Sequence, residues 1–148
     1  MESQTWTAGQ AARLSGLTLS MLNYVNRTGV LQPFIPEPHQ RGHGKRRRYC
    51  FADVVLLRAV GKLTGTGISI LRLSEGLLLL QQYREELSSP EVNRRRYLIT
   101  TGFQAYFADS AAIGKTLEEC AGPALVINLD QIRTEVSEAV EALSQSNH

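Results

Sequence analysis

The sequence predicts an α+β protein, with helices in its N-terminal part and a small β-β-α-β-α unit at its C-terminal end. Two helix-capping sequences stand close together within the first 20 residues. Runs of β-forming residues flank Gly102-Phe103. Residues 1–65 carry nine Lys and Arg against three acids, whereas residues 66–148 carry seven against eleven. The two parts therefore present surfaces of opposite charge, and only the first attracts polyanions.

Two short helices are predicted first. The sequence Thr7-Ala8-Gly9-Gln10 matches a capping box, and Gly16 is suited to a left-handed C-cap. Thr18 caps the second helix, which Thr28-Gly29 closes. Its apolar residues recur at helical spacing: Leu19, Leu22 and Val25. Two helices separated by Ser-Gly-Leu-Thr match the length and turn chemistry of a helix-turn-helix.

A basic run, Arg41–Tyr49, follows these helices. It carries five positive charges, two glycines and no acid. Three prolines rule out a helix before it: Pro33, Pro36 and Pro38. Phe34-Ile35 and Arg47–Tyr49 can pair as a hairpin around the polar loop 37–46. Alone, the run is as well explained as a solvated loop; behind a helix-turn-helix, it is better explained as a phosphate-binding wing.

Two further helices are predicted before residue 88. The third carries an apolar stripe and ends near Gly65 or Gly67: Leu56, Ala59, Val60 and Leu63. Ser69 can cap the fourth, whose stripe we assign to dimerisation: Ile70, Leu73, Leu77 and Leu80. This helix is too short for a stable coiled coil alone. Because Ser88–Glu91 is typical of a linker, we expect a DNA-binding domain over 1–87 and an α/β domain over 92–148.

The C-terminal unit is predicted to begin with strands over Tyr97–Thr101 and Gln104–Phe107. Asp109 or Ser110 caps a helix whose inward residues are Ile113, Leu117 and Cys120, and Gly122-Pro123 ends it. Ala124–Ile127 has the composition of a buried strand. A final helix, about 130–144, places four residues on one face: Ile132, Val136, Val140 and Leu143. The unit is small for independent stability, so we expect it to pack on the fourth helix or on its copy in a dimer.

The N-terminal 80 or so residues resemble the winged-helix DNA-binding domain of the MerR family of bacterial regulators. The ordered set of matching residues covers a little over half of the chain. It consists of Trp6-Thr7, Gly16-Leu17-Thr18, Leu22, Tyr24, Arg27-x-Gly29-Val30-Leu31, Arg47-x-Tyr49, Asp53-Val54 and Gly67-Ile68-Ser69. The C-terminal half, with one cysteine, matches no effector site of that family, so the family's sensing chemistry does not carry over.

The resemblance implies that the second helix lies in the major groove while the wing contacts the flanking backbone. It assigns DNA contacts to Thr18, Ser20, Asn23, Tyr24 and Arg27 in the helix, and to Arg41, Lys45, Arg46, Arg47, Arg48 and Tyr49 around the wing. The family often has an arginine at the position of Asn23 and a second tyrosine at the position of Val25. The operator therefore differs or binding is weaker, and Asn23 can pair with adenine instead.

Several residues have a plainer explanation than function. Tyr49 either contacts phosphate or packs under the wing, and we favour packing with an outward hydroxyl. Asp53 is better explained as a helix N-terminal charge that also orients wing arginines than as a catalytic acid. Arg94–Arg96 either extend the DNA-binding surface or lead into a strand. The C-terminal aromatic residues favour a core over a ligand pocket: Tyr97, Phe103, Tyr106 and Phe107.

Other function classes find little support. Cys50 and Cys120 form no metal or disulfide pattern, and His39, His43 and Cys50 match no zinc spacing. We expect no metal, no cofactor and no enzyme, since no catalytic motif is present. With no signal peptide at the N-terminus and Leu77–Leu80 as the longest apolar run, we expect a cytoplasmic, nucleoid-associated protein without a membrane partner.

The sequence therefore predicts a bacterial transcriptional regulator that binds double-stranded DNA as a homodimer. A second hypothesis makes it a ligand-sensing or partner-docking adaptor whose C-terminal unit binds an unknown effector or protein. A third, within DNA binding, is an architectural or excision-type factor that bends DNA.

Overall fold

A computed structural model describes residues 4–28, 47–67, 97–101, 105–120 and 122–146. Its elements in chain order are β1 (Thr5–Trp6), α1 (Ala8–Ser15), α2 (Leu19–Arg27), β2 (Tyr49–Cys50), α3 (Phe51–Gly65), β3 (Tyr97–Thr100), β4 (Ala105–Ala108), α4 (Ile113–Glu119), β5 (Leu125–Asn128) and α5 (Leu129–Ser146). The mixture of helices with small antiparallel sheets is compatible with the predicted α+β class.

The predicted caps of the first two helices are confirmed. Gln10 N donates to Thr7 Oγ1 over 3.2 Å, and Thr7 N donates to Gln10 Oε1 over 3.0 Å, which completes the capping box. Gly16 has a φ of 79° and ends α1 in the left-handed conformation. Thr18 Oγ1 accepts from Met21 N at the start of α2, over 3.0 Å. Local chemistry therefore determines both ends of the turn between α1 and α2.

The strand before α3 pairs with a partner that the sequence did not indicate. β2 lies antiparallel to β1, with Thr5 opposite Cys50 and Trp6 opposite Tyr49. Both aromatic side chains are buried, and this burial favours the long-range pairing. The predicted hairpin partner, Phe34-Ile35, lies outside the described residues.

Helix α3 is the centre of the hydrophobic core. The sequence predicted one apolar stripe, and its four residues are buried as expected. Val54, Val55 and Leu57, on the other sides of the helix, are buried too. Four consecutive buried residues, 54–57, point to all sides of the helix, so this part of α3 is covered on all sides, whereas Arg58 and Lys62 farther along are partly exposed. Helix α1 packs against one part of it, and α5 packs against another.

The C-terminal unit has the predicted order β-β-α-β-α. Its sheet has the strand order β4-β3-β5, with both pairs antiparallel. Helix α5 buries three of the four predicted residues, while Val140 is half-buried against the core. It packs on α1 and α3 in the same apolar cluster as Trp6. Contacts with the predicted fourth helix lie outside the described residues, and the domain boundary stays a prediction.

Two predictions for this unit are wrong. None of the residues of α4 is buried: Leu117 is 39% exposed, while Ile113 and Cys120 are half-buried. The strand at 124–127 is not a buried one, since Leu125 is 38% exposed and Val126 is 42% exposed. The physical reason is position, because β5 lies at the edge of the sheet and pairs with β3 alone among the described strands.

Some predictions lie outside the described residues. They are the wing residues Arg41, Lys45 and Arg46, the dimerisation stripe Ile70, Leu73, Leu77 and Leu80, and the linker Ser88–Glu91. Within the described ranges, no helix combines the length and the apolar character needed to cross a membrane.

Candidate nucleic-acid interface

Helix α2 has a buried side and a polar outward side. Leu22 and Val25 are fully buried against the core, and Met21 and Tyr24 pack partly against it. The outward side carries residues that the sequence assigned to DNA contact: Thr18, Ser20 and Arg27, which are exposed, and Asn23, which is half-buried. Leu19, predicted to join the buried stripe, is 49% exposed because it lies in the first turn on the outward side.

A hydrogen bond connects this outward side to the strand that follows the wing. Nη2 of Arg47 donates to Oδ1 of Asn23 over 2.5 Å. The guanidinium carbon of Arg47 also lies 5.9 Å from the centre of the Tyr49 ring, within range of a cation–π contact. Two predicted DNA-contacting residues, 24 positions apart, therefore contact each other. The sequence pattern carries no signal for this pair.

Arg48, which directly precedes β2, forms hydrogen bonds with Thr5 of β1. Its Nε donates to Thr5 Oγ1 over 3.0 Å, and its Nη2 donates to the Thr5 carbonyl over 2.9 Å. A guanidinium has five N–H donors, so these bonds leave others for a ligand. A phosphate contact from Arg47 or Arg48 stays a prediction. Within the protein, Arg47 contacts Asn23 and Tyr49, and Arg48 contacts Thr5.

Tyr49 and Asp53 are parts of the core and of a helix end. Tyr49 is fully buried, which favours the packing alternative, but its hydroxyl is buried too and does not face outward as predicted. Asp53 is also fully buried, and its Oδ2 accepts from Cys50 N over 2.9 Å at the start of α3. This contact confirms the predicted place of Asp53 in the first turn of α3, while the predicted orientation of wing arginines by Asp53 stays a prediction.

The last turn of α2 carries a second cation–π contact. The guanidinium carbon of Arg27 lies 5.8 Å from the centre of the Tyr24 ring. Arg27 is exposed and Tyr24 half-buried, so the ring supports the stem of a cation that faces solvent. DNA contact by either residue stays a prediction.

An ion cluster joins α5 to α3. Glu135 Oε1 accepts from Arg58 Nε over 2.8 Å and lies 3.3 Å from Lys62 Nζ. The hydrogen bond from Arg58 is the main cause that lowers the pKa of Glu135 below its usual value. Arg58 Nη1 also donates to the Leu14 carbonyl near the end of α1, over 3.0 Å. The cluster thus holds the C-terminal helix next to the turn between α1 and α2.

Sequence reasoning missed this cluster. Arg58 and Lys62 are one helical turn apart on α3, and Glu135 is the third acidic or basic residue of α5. The i, i+4 spacing of two cations is a signal that an acid belongs nearby. The spacing does not say which acid, since that choice depends on how α5 packs.

An open cavity of about 510 Å³ lies between the turn and α3. Its lining includes Ser15, Met21, Arg58 and Lys62, and no described residue of the C-terminal unit lines it. The cavity is therefore distinct from the aromatic pocket that the adaptor hypothesis needs. Across the described ranges, no group of three or more His, Cys, Asp or Glu residues is arranged to hold a metal ion.

No protein-family model matches the chain. Three curated proteins do match part of it, one from Mycobacterium bovis and two from strains of Mycobacterium tuberculosis, and each is named an uncharacterized HTH-type transcriptional regulator. The identity is 37% over 60 residues, which are 40% of this chain. The matched region spans 26% of each relative. The similarity supports a DNA-binding regulator.

Proposed function

We propose that this chain is a sequence-specific, DNA-binding transcriptional regulator with a MerR-like winged helix-turn-helix. Helix α2 enters the major groove, and the basic segment 41–48 holds phosphates beside it. The observation that carries the proposal is the outward side of α2, which is polar from its capped start at Thr18 to Arg27 apart from the exposed Leu19. The relatives named as HTH-type regulators support the same function.

The geometry of α1, the turn and α2 supports groove binding. A major groove about 12 Å wide admits one helix with its side chains. The start of α2 is exposed at Thr18 and Ser20, so its first turn is free to approach base edges. The buried side, with Leu22 and Val25, holds the helix on the core so that the same polar side always faces outward.

The charge distribution supports phosphate binding by the wing. The five cations of the run are Arg41, Lys45, Arg46, Arg47 and Arg48, and no acid lies among them. Each phosphate neutralised releases counterions, so the salt dependence of affinity reports the number of contacts. The wing therefore contributes affinity and register, while α2 contributes sequence choice.

The regulator acts as a homodimer. A single small reading module buries too little surface for high specific affinity, and two-fold symmetric sites match two-fold symmetric proteins. We assign the dimer contacts to the stripe Ile70, Leu73, Leu77 and Leu80 and to the C-terminal unit. The exposed Leu125 and Val126 at the edge of the sheet are consistent with that assignment.

Titration of duplex DNA at two salt concentrations tests the proposal. The full chain first selects duplexes from a randomised pool, and the Kd for the selected site is measured with Lys45→Ala and Lys115→Ala variants. Both substitutions remove one lysine charge, but only Lys45 lies in the wing. We expect Lys45→Ala to weaken binding and to reduce the log–log salt slope by about 0.9. Failure to select any duplex, or equal salt slopes for both variants and the wild type, would contradict the proposal.

A further inference from the structure

The amide of Asn23 has a defined orientation on the outward side of α2. Its oxygen accepts from Arg47 Nη2. A guanidinium carries donors and no acceptor, so the amide must turn its oxygen, and not its nitrogen, toward Arg47. Among the described residues, none accepts a hydrogen bond from Asn23 Nδ2. Within the part of the chain that the structure describes, the two N–H donors of Asn23 are therefore available to a ligand.

The guanidinium that orients Asn23 is itself held by the core. Arg47 lies over the ring of Tyr49, which is fully buried. Tyr49 lies opposite Trp6 in the β1–β2 ladder, and Trp6 is buried as well. The position of the Arg47 side chain relative to α2 therefore depends on packed residues, which restricts how the amide of Asn23 can turn.

This orientation changes what Asn23 can read in a major groove. Pairing of an asparagine with adenine needs the amide oxygen to accept from N6 while the amide nitrogen donates to N7. Here a charge-assisted bond already engages the oxygen. The remaining donors match base edges rich in acceptors, which are N7 and O6 of guanine and O4 of thymine. The amide oxygen has a second lone pair, so adenine pairing, which the sequence suggested, requires this oxygen to accept from N6 and from Arg47 at once.

We propose that Asn23 is a specificity-determining residue that reads guanine or thymine as a hydrogen-bond donor. Arg47 is the positioning residue that turns the amide for this task. The inference rests on the proposed function, because it applies only if α2 enters the major groove. It goes further by giving one position of the helix a chemical preference and by giving one wing arginine a role other than phosphate binding.

Selection and titration with the full chain test this inference. The site selected by the wild type is resynthesised with each of the four bases at every position, and the Kd is measured for each duplex. At one position we expect guanine or thymine to be preferred over adenine by about fivefold. Asn23→Ala should remove the difference in Kd between the bases at that position alone. Arg47→Ala should free the amide oxygen and reduce the discrimination against adenine there, while Arg47→Lys should retain the ranking.

Arg48→Ala is the matched control, because it removes the same charge from the next residue, and that residue bonds to Thr5 and not to Asn23. We expect it to weaken binding to all duplexes alike. Urea unfolding curves establish that each variant is folded. Should Arg47→Ala not fold, Asn23→Asp replaces it, since aspartate still accepts from Arg47 but has no N–H donor and should lose the preference.

Two results would overturn the inference while the proposed function stands. One is a base ranking that Asn23→Ala leaves unchanged at every position. The other is an Arg47→Ala variant that binds more weakly to all duplexes with the wild-type ranking. If the wild type selects no duplex, the proposed function fails, and the inference fails with it.

Discussion

The helical core and the outer edge of the C-terminal sheet are built in opposite ways. In α3, consecutive residues such as Val54, Val55 and Leu56 are all fully buried, and side-chain bonds link the helix to α1 and α5. In β5, Leu125 and Val126 are both more than a third exposed. Both segments are apolar in sequence. The contrast shows that an apolar run is buried only where neighbouring elements are present to cover it.

Truncating one leucine in each of the two regions should give the largest difference in the free energy of unfolding. Leu56→Ala removes a fully buried side chain, and we expect the free energy of unfolding to fall by about 2–5 kcal/mol. Leu125→Ala removes a side chain of the same kind that is 38% exposed, and we expect a loss below about 1 kcal/mol. Urea denaturation followed by circular dichroism measures both. Equal losses would mean that β5 is covered as completely as α3.

Glycine substitutions at the turn between α1 and α2 and in α1 should change the stability by an intermediate amount. Gly16 has a φ of 79°, so Gly16→Ala should cost about 1–2 kcal/mol of stability. Gly9 lies in the same helix with no atom within 4 Å of an added Cβ, and Gly9→Ala should stabilise α1 by about 0.5–1 kcal/mol. Thermal unfolding of the two variants gives the sign of each change. A stabilising Gly16→Ala substitution would show that this turn does not need the left-handed conformation.

Neutralising Glu135 in the ion cluster should give the smallest change in stability. Its side chains are partly exposed, so Glu135→Gln should cost about 0.5–1 kcal/mol at neutral pH. The folded state lowers the pKa of Glu135, so its contribution is present above the unfolded pKa and is lost as the pH falls through the folded pKa. The stabilities of the wild type and Glu135→Gln should therefore converge in acid.

The matched control for this cluster is Glu138→Gln, an exposed position one helical turn later on α5. It should change neither the stability at neutral pH nor its acid dependence by a comparable amount. Denaturant titrations at several pH values measure both variants. A constant difference between the wild type and Glu135→Gln across that range would show that the ion cluster does not couple α5 to α3.

Local sequence chemistry predicted much of the fold. The caps at Thr7, Gly16 and Thr18 depend on residues at most four positions apart, so pattern reasoning finds them. The order β-β-α-β-α and the inward side of α5 follow from periodicity. The prediction was wrong for β5 and α4, because the same periodicity does not reveal which elements lie against a face.

The candidate site was predictable only in part. The outward residues of α2, such as Ser20 and Arg27, follow from helical spacing and from a resemblance to a known family. The Arg47–Asn23 bond and the Glu135 cluster join residues 24 and 77 positions apart. Contacts over such separations depend on how the elements pack, and composition and spacing do not contain that information.

The amino-acid sequence by itself determined the caps, the helical and strand periods and the concentration of positive charge in residues 1–65. These properties act over a few bonds or a few turns, so the local chain is sufficient to set them. Tertiary structure decided that Tyr49 is part of the core, that β5 is exposed and that Arg47 turns the amide of Asn23. Those outcomes depend on burial and on side-chain hydrogen bonds between distant residues, and both exist only once the helices and strands have packed together.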